Sequence, residues 1–272
     1  MGLGDIGSSI MTPLYFAVSG VLLAWHSLFT DLPISSGWAW ALAIIGLTCT
    51  IRAAVFPLYV RQVRASRNMQ RLQPQIRELQ KKYSHDREQL KQAQMKLWRD
   101  TGTNPFASCL PLLIQMPIFF ALFRVIDVAS KYAPTDGEFR LGFLTTDHAR
   151  SLSDARVLGA RIADTFVSTD STATKVVTLS LVAIMCVTQF VTQHHVMTKG
   201  MPAEAMDGAY FQQQRMLLYV LPVVFAVGGV AFPLGLLIYW VTSNVWSLGQ
   251  HLLLNRNLPP DAQGVPSVLG PG

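Results

Sequence analysis

Charged residues are scarce in this sequence. They make up 14% of the 272 residues, whereas apolar residues make up 50%. Soluble domains usually contain about 25% charged residues. Acidic side chains are also missing from the interior of the long apolar runs, where Asp127 comes nearest, at the end of one run and close to Arg124. The composition therefore excludes an ordinary soluble domain and indicates a membrane protein.

The sequence has only three cysteines and lacks the common catalytic motifs. Cys49, Cys109 and Cys186 lie in or near apolar runs, and their odd number argues against a disulfide framework. The adjacent His194 and His195 point to different sides of a helix and make no metal site without further ligands. The sequence contains no nucleophile elbow, phosphate-binding loop or HExxH motif. We therefore predict neither an enzyme nor a bound cofactor.

Five apolar runs are long enough to cross a bilayer, given a helical rise of ~1.5 Å per residue. The last two are separated only by Phe232-Pro233 and predict a tight helical hairpin. An earlier stretch, residues 13–29, repeats its apolar residues on one helical face, which predicts a helix in the membrane interface. It lacks the basic start and cleavage pattern of a signal peptide. The predicted spans are residues 38–60, 105–128, 174–194, 216–230 and 234–250.

Basic residues are distributed unevenly between the connecting segments. Residues 1–37 contain no Lys or Arg, and residues 129–173 are slightly acidic on balance. Residues 61–104 are strongly basic, so the positive-inside rule places them in the cytoplasm, together with residues 195–215. This assignment predicts an amino terminus outside and a carboxyl terminus inside. Residues 251–272 are rich in Pro and Gly, which predicts a disordered tail.

The basic segment 61–104 shows helical periodicity. Two sets of mostly apolar residues recur every three or four positions, and Ser84-His85-Asp86 separates them. Asp86 with Gln89 resembles a capping box. The pattern predicts two short antiparallel helices, which either lie solvated near anionic lipid or contact an incoming chain or ribosomal RNA. The two sets are Leu72, Ile76, Leu79 and Tyr83, and Leu90, Gln94, Leu97 and Trp98.

Arg52 is the most informative residue, because it lies inside the first predicted span. A guanidinium at membrane depth costs roughly 3 kcal/mol on insertion scales, and arginine does not lose its proton. No carboxylate is available in the apolar runs to pair with it. Either Arg52 snorkels to the interface from near a helix end, or it faces a cavity that holds water.

Other spans contain polar residues that suit such a cavity. Thr48 lies one helical turn before Arg52, on the same face. Each polar residue alone could form a hydrogen bond between helices, which is the commoner role. Together with Arg52 they could line one shared hydrophilic cavity. The other members are Gln115 in the second span, Thr188, Gln189 and Gln193 in the third, and Thr242, Ser243 and Asn244 in the fifth.

Four motifs in this order resemble the YidC family of membrane protein insertases, which is related to the Oxa and Alb insertases. They are TCTIR at residues 48–52 with Pro57-Leu58, MQRLQP at 69–74, NPFASCLPLLIQMPIFF at 104–120 and FPLGLLIYWVTSN at 232–244. The resemblance runs from about residue 13 to residue 251. It implies an all-α membrane protein, a short bacterial form without a large periplasmic domain. Five transmembrane helices would enclose a hydrophilic groove open to the cytoplasm, with an interfacial amino-terminal helix and a cytoplasmic helical hairpin.

The resemblance also implies a mechanism without nucleotide or metal. A positive groove receives a polar or acidic segment of a nascent membrane protein, and the hydrophobic segment then leaves into the bilayer of the bacterial inner (plasma) membrane. Implied partners are nascent clients and lipid, with the Sec translocon and the ribosome as further candidates and DNA excluded. The single basic residue of the tail, Arg256, gives it little to hold a ribosome. The implied groove residues are Arg52, Thr48, Gln115, Gln189, Gln193, Tyr239 and Trp240.

Two other classes of protein fit the residues less well. A transporter or channel subunit would need polar groups along a full path to the outer face, and here they concentrate in the inner half of the spans. An intramembrane enzyme would need a Ser/His or paired-Asp constellation, which the spans lack. We therefore interpret the chain as an insertase or chaperone, with a transporter or channel subunit as the alternative.

Overall fold

The computed structural model describes residues 3–103, 110–131, 140–200 and 209–257. These residues form ten helices and two short antiparallel β-hairpins. In chain order the elements are α1 Leu3–Thr30, α2 Ser36–Ala54, α3 Phe56–Arg71, α4 Gln73–Lys82, α5 Arg87–Asp100, α6 Leu110–Lys131, β1 Arg140–Leu141, β2 Leu144–Thr145, α7 Thr146–Asp154, β3 Arg156–Val157, β4 Ala160–Arg161, α8 Thr172–Gly200, α9 Ala209–Gly229 and α10 Leu234–Asn257.

Three of the described helices are long and apolar enough to cross a membrane: Met11–Thr30 in α1, Ser36–Ala54 and Thr172–His195 in α8. The last two overlap the first and third predicted spans. The first lies where we predict an interfacial helix, and its length and hydropathy also allow it to cross. Helices α6, α9 and α10 occupy the other predicted spans, and the arrangement of five spans stays a prediction.

The prediction of one continuous span over residues 38–60 is wrong. Helix α2 ends at Ala54, Val55 forms a turn, and α3 begins at Phe56. Pro57 explains the break, because a proline lacks the N–H that would bond the carbonyl of Ala53 and its ring would clash there. Arg52 consequently lies in the last turn of α2. At this position the positive charge of Arg52 interacts favourably with the negative, carboxyl-terminal end of the helix dipole.

Several helices extend beyond their predicted ends. Helix α8 continues to Gly200 and α9 begins at Ala209, so the predicted loop 195–215 is mostly helical where it is described. Helix α10 continues to Asn257, so the first residues of the predicted tail are helical and not disordered. The predicted ends were too early because hydropathy identifies only the part of a helix that suits lipid. The backbone hydrogen bonds of the same helix can continue into polar sequence. The predicted start of the second span, the inner part of the 195–215 loop and the rest of the tail lie outside the described residues.

The chain divides into two compact units. The first comprises Met1–Ala54, Leu112–Gln189 and Pro222–Ser247, and the second comprises Val55–Pro111, Phe190–Leu221 and Leu248–Gly272. The core of the first unit is mostly apolar and draws on helices α1, α2, α6, α7 and α10 and on residues of the two β-hairpins. Its buried members include Leu22, Trp40, Ile44, Leu122, Ile126 and Leu234.

The segment between α6 and α8 is folded onto the helices of the first unit. At the β1–β2 turn, the Phe143 N–H donates to Ser19 Oγ at 2.9 Å, and Ser19 itself donates to the Tyr15 carbonyl at 2.6 Å. A Cβ on Gly142 would lie 2.4 Å from Ser19 Oγ, so the close approach requires glycine. The Trp40 indole N–H donates to Ser151 Oγ of α7 at 3.0 Å. These contacts hold the segment on α1 and α2.

In the second unit, α4 and α5 are the two helices predicted from periodicity. Asp86 caps α5 and accepts the Glu88 and Gln89 N–H groups at 3.0 Å each. Leu97 near the end of α5 packs with Leu72 and Ile76 at the start of α4, so the two helices run antiparallel. The predicted helix pair and its break are confirmed, and its cytoplasmic location stays a prediction.

Candidate functional site

Tyr239 of α10 is the centre of a polar cluster inside the first unit. Its side chain is 3% exposed, and its hydroxyl accepts a hydrogen bond from the Gln115 amide of α6. Arg52, in the last turn of α2, lies close enough for its charge to act on the phenol. Three helices, distant in sequence, therefore bring together a cation, an amide and a hydroxyl among apolar side chains.

Thr48 and Gln115 already have partners within the protein. Thr48 is fully buried, and its hydroxyl donates to the Ile44 carbonyl of its own helix at 2.7 Å. Gln115 bonds across to Tyr239, which is the interhelical role that polar residues in such helices commonly take. Gln115 therefore joins α6 to α10, Thr48 bonds only within α2, and the Arg52 side chain supplies the charge of the cluster.

Two further groups on α10 extend the cluster. Ser243 Oγ lies beside the Tyr239 hydroxyl without reaching full hydrogen-bond geometry, and Trp246 Nε1 is buried without a hydrogen-bond partner among the described residues. Tyr239, Ser243 and Trp246 are spaced by four and three residues, so they share one helical face. A buried polar group without a partner costs about 1–3 kcal/mol. Water or the polar part of a bound chain would satisfy both groups.

Trp246 was missed at the level of sequence, although its spacing from Tyr239 and Ser243 was visible there. Tryptophan is usually counted as apolar in spite of its indole N–H, and apolar helices often contain it. Helical spacing from a buried tyrosine is the signal that would have found it.

Trp240 borders the polar cluster with an aromatic one. Its ring centroid lies 4.5 Å from that of Phe225 in α9, 5.3 Å from Phe119 in α6 and 6.0 Å from Phe232. The Phe225 and Phe119 contacts have the edge-to-face geometry that aromatic rings favour. Neighbouring residues of α10 thus present a polar cluster and an apolar, partly exposed one, which suits a ligand with both kinds of segment.

The two glutamines of α8 are placed differently. The Asn244 amide donates to the Met185 carbonyl at 3.4 Å, which joins α10 to α8 one turn before Gln189. Gln189 is partly exposed and is the last α8 residue of the first unit. Gln193 belongs to the second unit and has an interaction of its own. The structure therefore brings the helix that carries Gln189 against α10 and leaves Gln193 as a prediction.

Asp127, the acidic residue that comes nearest the interior of a predicted span, has a basic neighbour on its own helix. Asp127 lies 4.0 Å from Arg124 on the next turn of α6, as the sequence predicts. In the described part of the chain, no group of three or more His, Cys, Asp or Glu side chains is arranged to hold a metal ion. The site is a cationic and hydrogen-bonding surface beside an aromatic one.

Long apolar helices of this kind define a helical membrane protein, in which the polar cluster is a candidate binding site. The family model described as 60Kd inner membrane protein matches residues 33–261. The chain belongs to this family, which includes the YidC insertases, as its sequence motifs indicate.

Individual relatives agree with the family match. The chain is 36% identical over 265 residues to the membrane protein insertase YidC of Streptomyces avermitilis, covering 94% of this chain and 60% of that one. It is 34% identical over 282 residues to the YidC of Tropheryma whipplei strain Twist, covering 95% and 88%. The YidC of Mycobacterium tuberculosis strain H37Rv is 32% identical over 258 residues, covering 88% and 70%.

A solved structure supports the fold. The crystal structure of an active YidC insertase with its first transmembrane domain resolved aligns with a TM-score of 0.53 at 24% identity. The alignment covers 86% of this chain and 45% of that one.

Proposed function

We propose that this protein is a membrane protein insertase and chaperone. It receives a nascent membrane protein at the Arg52–Tyr239 cluster and releases its hydrophobic segment into the bilayer. The observation that carries the proposal is a polar cluster, with the buried Tyr239 and the half-buried Arg52, beside the aromatic cluster around Trp240 in one helical unit. The names of its relatives support it, and they do not favour a transporter or channel subunit.

Each part of the cluster has a physical role in this function. The Arg52 charge attracts acidic or polar flanks, because charges act strongly where little water screens them. Among the described residues, Ser243 Oγ and Trp246 Nε1 have no partner in full hydrogen-bond geometry, so both can bond a polar part of the client. The aromatic rings around Trp240 hold the apolar segment until it enters lipid, where burial of apolar surface drives the final step. Gln189 and Gln193 are proposed as further groove residues on α8.

The membrane arrangement belongs to the same proposal. Five spans, with an outer amino terminus and a cytoplasmic carboxyl terminus, place Arg52 toward the cytoplasmic side in the bacterial inner membrane. The α4–α5 hairpin then lies in the cytoplasm, where its exposed basic side chains suit a ribosome, a nascent chain or anionic lipid. The Sec translocon is a further proposed partner.

Reconstitution tests this function directly. Liposomes containing the purified protein are expected to insert a single-span client and protect its translocated flank from protease, whereas empty liposomes leave the flank exposed. Tyr239→Phe removes only the hydroxyl that Gln115 bonds and is expected to reduce insertion. Tyr219→Phe is the matched control, because Tyr219 is 57% exposed and should tolerate the same change. Equal protection with and without the protein would overturn the proposal.

A further inference from the structure

The β3–β4 hairpin carries a leucine that its own conformation disfavours. Leu158 and Gly159 form the two-residue turn, with φ angles of 53° and 82°. A turn with positive φ at both positions favours Asn-Gly or Gly-Gly. Leu158 is the one non-glycine residue with positive φ in the described part of the chain. A leucine at such an angle is unusual, because its branched side chain crowds the backbone there.

Packing inside the protein does not explain this leucine either. Leu158 is 70% exposed, whereas Val157 and Ala160 beside it are buried in the core of the first unit. The strands therefore hold the turn firmly and present an apolar side chain outward. An apolar environment outside the protein would favour such a side chain.

The hairpin lies at the amino-terminal ends of three helices. A Cβ on Gly37, the second residue of α2, would come within 1.8 Å of the Arg156 carbonyl oxygen. A Cβ on Gly159 would lie 3.3 Å from the Ala173 Cβ at the start of α8. At the start of α10, the Gly235 N–H donates to the Ile162 carbonyl just after β4 at 2.9 Å. Since α2 and α8 can both cross a membrane, the hairpin lies where their spans begin.

Charge at the hairpin adds a second argument. Arg156 and Arg161 face each other across the two strands, an arrangement of like charges that destabilises a strand pair. Arg161 is compensated by Asp154 at 3.7 Å and by the Ser153 carbonyl at 3.0 Å. Arg156 is exposed, its guanidinium donates to the Gly159 carbonyl of the same turn at 3.4 Å, and among the described residues it forms no ion pair. An anionic group outside the protein would compensate it.

We propose that this turn anchors the connecting segment in the membrane, with Leu158 among the acyl chains and Arg156 on a lipid phosphate. The partner is the leaflet at the amino-terminal ends of α2, α8 and α10. Arginine recognises phosphate through its planar array of donors. Other exposed apolar side chains near the start of α2 fit the same interface, including Trp38, which is 43% exposed and of a type common at membrane surfaces. The proposal rests on α2 and α8 crossing the membrane and not on client insertion.

A spin label measures the depth of the turn. The label is attached to a single cysteine at position 158 in a background without the three native cysteines. The protein is reconstituted in vesicles of phosphatidylcholine with phosphatidylglycerol. Collisions with oxygen are expected to exceed those with a water-soluble nickel chelate. The same label at position 95 on α5 is the control, because Met95 is 57% exposed and lies in the helix pair that we predict to be cytoplasmic. Equal access of the chelate to both positions would overturn the proposal.

Two substitutions separate anchoring from folding. Leu158→Asn gives the turn its preferred Asn-Gly pair, so the thermal midpoint should stay equal or rise, while hydrogen exchange of residues 156–161 in vesicles becomes faster. Exchange no faster than in the unmodified protein would overturn the role of Leu158. Arg156→Gln should make the label at 158 shallower in vesicles with phosphatidylglycerol. An unchanged depth would overturn the role of Arg156. Neither measurement uses a client, so insertase activity is tested separately.

Discussion

The two compact units of this protein differ in how closely their segments pack and in how exposed their polar and charged side chains are. In the first unit, connecting segments lie against helices at distances that only glycine allows, and the polar groups of Tyr239 and Ser243 are buried. In the second unit, Arg61, Lys81 and Lys82 are exposed, and the helix pair shares a small apolar cluster. Buried contacts depend on position, whereas exposed charges are screened and individually contribute little. Substitutions should therefore have specific, large effects in the first unit and small ones in the second.

The largest expected effect comes from Gly37→Ala. The new methyl group would lie 1.8 Å from the backbone oxygen of Arg156, so either α2 or the hairpin must move. Overpacking of this kind usually costs about 1–3 kcal/mol, and a backbone obstacle places the cost at the upper end. Thermal unfolding in detergent should show a clearly lower midpoint.

Gly249→Ala in the second unit is the matched control. Among the described residues, no heavy atom outside the local helix backbone lies within 4 Å of a Cβ built at this position. Alanine favours a helix over glycine by about 0.8–1 kcal/mol, so this variant should be as stable as the original or more so. A similar loss of stability in both variants would contradict the distinction between the two units.

How far the sequence could predict this structure depends on whether a signal is local. The α4–α5 pair follows from periodicity and from Asp86, because a cap acts within one turn. Pro57 was a local signal for the helix break at Val55, but the prediction followed the apolar character of residues 38–60, which continues across the break. The contacts of Ser19 with Phe143 and of Gln115 with Tyr239 join residues 124 positions apart. Nothing in the periodicity of either helix specifies such a pair, so Tyr239 and Trp240 came only from the family resemblance.

The next largest effect should come from the charge in the first unit. Arg52→Ala is expected to reduce insertion of a client whose translocated flank carries Asp, and to spare the same client with Asn. A charged hydrogen bond is worth about 1.5–3 kcal/mol, which corresponds to a loss of about tenfold or more. Arg52→Lys should keep much of the activity, because the charge remains. Protease protection of the two matched clients measures the difference.

Two comparisons make the Arg52 result specific. Arg61→Ala removes an exposed charge from the second unit and should change insertion of both clients only slightly. Trp240→Ala should weaken insertion of both clients alike, because its aromatic contacts do not depend on flank charge. If Arg52→Ala impairs the Asp and Asn clients equally and also unfolds at lower temperature, Arg52 serves the fold and does not recruit clients.

The smallest effect should come from the cap of α5 in the second unit. Asp86→Ala leaves the Glu88 and Gln89 N–H groups without their acceptor, and losing such a cap costs about 1 kcal/mol. Because the apolar cluster between α4 and α5 is small among the described residues, the loss should stay local. Hydrogen exchange in the first turn of α5 should become faster, while the core helices of the first unit exchange as before. Asp86→Asn should restore the slow exchange, since asparagine caps as well as aspartate. Faster exchange that extends to the buried residues around Tyr239 would show that the two units are coupled and that the helix pair supports the polar cluster.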